Sequence, residues 1–108
     1  MMGEIKMVKH ILLWNLKNEY SDKEKAEIKS NAKKALEALV GQIPGLIDMN
    51  IQITCLESST AELMLDSTFE DFEALKNYSI HPKHVEAADN FVRPYTSSRN
   101  CIDYEIDG

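Results

Sequence analysis

Met7–Lys17, MVKHILLWNLK, is the stretch on which the fold turns. Its branched and aromatic residues suit a β-strand, with Val8, His10, Leu12, Trp14 and Leu16 on one side and Met7, Lys9, Ile11, Leu13 and Asn15 on the other. Both sides carry large apolar groups, so both need cover.

Outward from this strand, Ser21-Asp22-Lys23-Glu24 has the spacing of a capping box, and an apolar stripe at Ile28, Ala32, Ala35, Leu36, Leu39 and Val40 follows at helical period. Gly41 suits the left-handed residue beyond that helix, and Pro44-Gly45 a turn. Leu46–Thr54 alternates apolar with polar, and Ala61–Asp66 pairs with it as a hairpin across Glu57-Ser58-Ser59. Ser67 to Glu70 repeats the capping-box spacing, so a second helix is expected from Phe69, ending near Ser79 because His81 precedes Pro82. Pro82 opens a third short helix that Pro94 stops, and Asn100–Ile106 alternates as a last strand.

The order β-α-β-β-α-β, with the second helix broken in two, is a ferredoxin-like α+β plan built on a four-stranded antiparallel sheet. Right-handed crossovers put the helices on one face of that sheet. The other face of the first strand then exposes either Val8 and Leu12 or Ile11 and Leu13, and an isologous dimer is the simplest closure. Truncating Leu12 or Trp14 is expected to weaken the dimer if theirs is the interface side.

A chain of 108 residues fits one domain, placed at 7–106 after a short extension at 1–6. With 18 acidic and 12 basic residues the net charge is −6, which opposes binding to phosphate backbones; no nucleic-acid partner is expected. No apolar run reaches the roughly 20 residues of a membrane span, and MMGEIKM lacks the apolar core of a secretory signal, so no membrane association and a cytoplasmic location are expected. Cys55 and Cys101, both in strand-like segments, read as reduced, partly buried thiols.

Val8-Lys9-His10, Ile43-Pro44-Gly45, Tyr78-Ser79-Ile80-His81-Pro82-Lys83-His84 and Asp103-Tyr104-Glu105 together resemble the stress-responsive dimeric α/β-barrel (Dabb) family over roughly Met7 to Glu105. The resemblance implies a homodimer whose two sheets form a barrel, each subunit keeping a pocket between sheet and helices. Most relatives have no assigned activity, and some plant relatives are stress-associated oligomers. One branch is a cofactor-free polyketide cyclase that uses a strand-one His, a Tyr before the His-Pro-x-His element and the second His of that element. Those positions here are His10, Tyr78 and His84. The same barrel also carries quinone-forming monooxygenases and haem-degrading enzymes, so the fold alone assigns no function.

The chemistry of these three residues is coherent in itself. Histidine can take a proton alpha to a carbonyl near neutral pH, and a phenol can hold the developing enolate oxygen. His84 is then the base, Tyr78 the donor and His10 the positioning group, with Val8, Leu12 and Trp14 as an apolar wall and His81 a further candidate contact. No metal and no cofactor is expected, since neither metal-ligand spacing nor a haem motif is readable. The ligand expected is a small hydrophobic carbonyl compound, handled by a lyase, cyclase or isomerase. The rival readings are a non-catalytic stress-associated barrel that binds a small ligand, and a cofactor-free monooxygenase. On those readings His10 is a core histidine, His81 a cap and Trp14 core or dimer filler.

Overall fold

The computed structural model of the chain describes residues 6–107, so all of the expected N-terminal extension except Lys6 lies outside the described residues. The elements are β1 (Lys6–Leu16), α1 (Asp22–Glu37), β2 (Leu46–Gln52), β3 (Leu63–Phe69), α2 (Phe72–Ile80), α3 (Pro82–Phe91), a 3-10 turn (Arg93–Tyr95) and β4 (Thr96–Asp107). The sheet runs β2-β3-β1-β4, antiparallel throughout. This is the ferredoxin-like α+β arrangement, with its second helix divided at His81.

The helices cover the Val8, His10, Leu12, Trp14, Leu16 side of β1, and all five are buried. Val8, Leu12, Trp14 and Leu16 join Leu36, Ile51, Leu65, Phe69 and Leu75 in the core. Of the two sets of β1 residues, the one left without cover is Ile11 and Leu13. Around them on the open face lie Met64 from β3 and Ile102 and Tyr104 from β4, placed by the ladder pairs Ile11↔Ile102, Leu13↔Met64 and Lys9↔Tyr104. Leu12 and Trp14 therefore belong to the core of the subunit, so the condition on which truncating them would weaken a dimer is not met. Nearly all of β4 is exposed, because the helices do not reach across to it.

The caps explain where the helices begin. Ser21 accepts from the Glu24 amide at 3.1 Å while the Glu24 carboxylate accepts from the Ser21 amide at 2.9 Å, the reciprocal box expected for α1. Gly41 has φ +87°, yet α1 ends at Glu37 and Val40 is exposed. The expected second box at Ser67 does not form. Ser67 is fully buried in β3, its hydroxyl donating to the His10 carbonyl at 2.8 Å, and Phe69 is a core residue of the same strand. Burial of that ring outweighs local capping preference, so the strand runs on to Phe69 and the Asp71 carboxylate caps α2 instead, accepting from the Ala74 amide at 2.8 Å.

Gly45 joins α1 to the sheet at φ +83°, and a Cβ there would stand 2.4 Å from the Cβ of Ala74. Only glycine allows both that backbone and that approach of α2. Cys55 follows β2 rather than lying in a strand, and Cys55 and Cys101 are both free and exposed, which corrects their expected partial burial.

Candidate functional site

A cleft of about 130 Å³ opens between the helix-covered side of β1, the α2–α3 break and the start of β4. Its floor is His10, Leu12 and Trp14, its helical wall Leu75, Tyr78, His84 and Ala88, and its mouth Arg93, Thr96 and Arg99. His10, Tyr78 and His84 are thus brought to one place, together with Leu12 and Trp14. Val8 is buried in the core beyond the cleft, and His81 is outside it. His81 closes α2 and caps α3, its Nδ1 accepting from the Lys83 amide at 3.1 Å.

The break at His81-Pro82 builds the helical wall. Tyr78 sits in the last turn of α2 and His84 in the first turn of α3, and their rings stack with centroids 4.1 Å apart and planes inclined by 33°. Phe69 backs the phenol at 4.9 Å, and His10 meets it edge-on at 6.3 Å. Burial pushes the Tyr78 phenol well above its ordinary pKa, with Arg99 opposing, so it stays protonated at neutral pH. Among the described residues its hydroxyl has no hydrogen-bond partner.

Both histidines are held through Nδ1. The Nδ1 of His84 lies 3.2 Å from the Ser79 carbonyl, and a carbonyl can only accept, so Nδ1 carries the proton and Nε2 the lone pair when the ring is neutral. Burial pushes the His84 pKa down; the Ser79 bond opposes this, and Arg93, His10 and Arg99 add to it. The Nδ1 of His10 donates to the Asp103 carboxylate at 2.5 Å, across the ladder pair His10↔Asp103. That contact fixes the ring and its tautomer, the arrangement that orients a base or a positioning group.

Cys101 stands beside this pair, its Sγ 3.8 Å from His10 Nδ1 and 3.5 Å from Asp103. The three donor atoms lie within 4.8 Å of one another, a set that could close on a metal ion. As they stand they satisfy each other, Arg99 adds positive charge beside the thiol, and burial and then Asp103 push the Cys101 pKa up. Neither the pairing of Asp103 with His10 nor the place of Arg93 and Arg99 at the cleft carries a local sequence signal. The parity of β4 would have offered Asp103 and Arg99 for one face, but the register that sets them opposite His10 and Trp14 is a long-range property.

Residues 8–106 match the model of the stress responsive A/B barrel domain, Dabb. The chain belongs to the Dabb family. A Dabb chain of this length is similar over its whole fold to a dimeric protein of unknown function with a ferredoxin-like fold from Bacteroides fragilis, at 32% identity over 93% of this chain and 96% of that one, with a TM-score of 0.86. A protein from Arabidopsis thaliana is 29% identical over 94% of this chain and 96% of that one, TM-score 0.72. The hydroxynitrile lyase of Passiflora edulis is 19% identical over 94% of each chain, TM-score 0.71, a likeness of Dabb fold alone. No curated protein matches the sequence. Among the described residues no helix is long and apolar enough to cross a membrane.

Proposed function

We propose that this Dabb chain is a homodimeric, cofactor-free acid–base enzyme that moves a proton or breaks a bond next to the carbonyl of a small, largely apolar compound. The observation that carries the reading is the convergence of His10, Tyr78 and His84 on one cleft, with each histidine held through Nδ1. His84 Nε2 takes a proton alpha to the carbonyl, the Tyr78 hydroxyl donates to the oxygen that becomes negative, and protonated His84 returns the proton to the product. In a cyanohydrin cleavage the same base takes the hydroxyl proton as the carbon–cyanide bond breaks, and the proton leaves with cyanide. His10, oriented by Asp103, positions the oxygen-bearing end.

Size narrows the substrate. A cleft of about 130 Å³ is below the roughly 300–1,000 Å³ of most ligand pockets and close to the roughly 150 Å³ that holds one benzene. A single ring or short acyl group fits, and a folded polyketide chain does not. Two further points support the rest of the reading. The uncovered apolar face around Ile11 and Leu13 and the dimeric Bacteroides fragilis relative favour a homodimer, and the two unpaired thiols suit the reducing cytoplasm.

The test measures solvent-deuterium exchange alpha to the carbonyl of cyclohexanone and cleavage of mandelonitrile, for the native chain and for H84Q and Y78F. Rates above buffer that fall at least about a hundredfold in the variants are expected, the usual worth of a positioned acid or base. Native rates no higher than buffer overturn the reading and leave a non-catalytic ligand-binding barrel, and rates above buffer that are equal in the variants overturn the roles of His84 and Tyr78.

A further inference from the structure

The charge at the mouth of the cleft is opposite to that of the whole chain. The sequence has 18 acidic residues against 12 basic ones, yet none of the residues lining this cleft is Asp or Glu, and two are arginines, Arg93 and Arg99. Arg93 is already paired with Asp89 at 2.6 Å. Arg99 makes no hydrogen bond and no ion pair among the described residues. Asp103, the carboxylate on the same face of β4, is engaged by His10 at 2.5 Å.

From this we infer that the substrate carries a carboxylate, which docks on Arg99 at the mouth while its carbonyl or hydroxyl carbon lies deeper, between Tyr78 and His84. The inference rests on the acid–base reading above and names its substrate class: a small oxo- or hydroxy-acid with a short apolar body. Three observations support it. The guanidinium stands at the rim, where a carboxylate keeps part of its hydration, so binding it does not require burying a bare charge. The apolar floor of Leu12 and Trp14 with Leu75 opposite takes the body of the molecule. Arg99 is also close enough to act electrostatically on both Tyr78 and His84, which places a carboxylate held there within one small molecule's length of the groups that react. Guanidinium and carboxylate match in planar, two-pronged geometry, which a neutral ligand cannot use.

Benzoate and benzyl alcohol separate the charge from the shape, since both present one ring. Titrating each into the native protein while following the histidine ring-proton NMR signals of His10 and His84 reads occupancy of this cleft and of no other surface. Benzoate is expected to bind about tenfold more tightly than benzyl alcohol, the scale of one charge-assisted contact at a partly hydrated site. R99Q is expected to erase that preference while leaving benzyl alcohol unchanged, and R99K to keep part of it. Because Arg99 is exposed, the variant's unchanged melting temperature serves as the folding control. Equal affinity for the two ligands, or a benzoate preference that survives in R99Q, overturns the inference. The titration needs no turnover, so loss of the acid–base reading would show as absent exchange with the benzoate preference intact. Loss of this inference alone would show as exchange in cyclohexanone without that preference.

Discussion

His10 on β1 and Asp103 on β4 face one another across the antiparallel ladder, and the ring donates from Nδ1 to the carboxylate at 2.5 Å. The imidazole is buried and the carboxylate half-exposed, so the pair spans the boundary between the cleft floor and water. Its role is tested by D103N. The amide oxygen still accepts from Nδ1, but the negative charge is gone; we expect a stability loss of about 1 kcal/mol in urea unfolding and a larger effect on turnover than on folding. An unchanged turnover would remove Asp103 from the mechanism.

Tyr78 offers a contrast between stability and function. Its hydroxyl has no protein partner among the described residues, so Y78F strands nothing and its unfolding free energy is expected to stay within about 0.5 kcal/mol of the native value. Turnover is expected to drop about a hundredfold. Equal turnover in calorimetrically matched samples would make the phenol a packing group.

The depressed pKa of His84 has a defined sign in the pH dependence of stability. With the folded value below the unfolded one, near 6.5, the unfolded chain binds the extra proton first, and stability falls as pH drops from about 6.5 through the folded pKa. Chemical denaturation between about pH 4 and 8 should show that slope in the native protein and a shallower one in H84Q. The acid limb of the rate profile is expected below about 6.5 for the same reason, while the raised Tyr78 pKa supplies no basic limb in the neutral range.

The uncovered sheet face yields a separate prediction. Leu13 and Ile102 lie on it and Trp14 does not, so L13D and I102D should shift sedimentation toward a monomer with the fold retained, whereas W14A should lower stability by about 3–5 kcal/mol. A native chain that sediments as a monomer at micromolar concentration would refute the dimer.

Most of the fold was legible because its signals are local: alternation in β1 and β4, the Ser21–Glu24 box, and the Pro82 break each act within a few residues. The misplaced element shows where local reading stops. Ser67 and Glu70 have the spacing of a cap, but the Ser67 hydroxyl is used by a carbonyl 57 residues away in sequence, a contact no window around Ser67 contains. The site divides in the same way. Tyr78 and His84 lie six residues apart around a visible break, whereas the pairing of His10 with Asp103 spans 93 residues and depends on register. Which side of β1 the helices take was undetermined by a strand apolar on both sides.

Gly45 has a bearing on the cleft despite lying outside it. The missing side chain lets Ala74 settle against the backbone, and Ala74 stands one helical turn before Tyr78. Position 45 therefore works as a depth stop for α2. Any side chain there would hold the helix away from the sheet and lift the phenol with it, so the dimensions of the cavity are set partly by a turn that never meets the ligand.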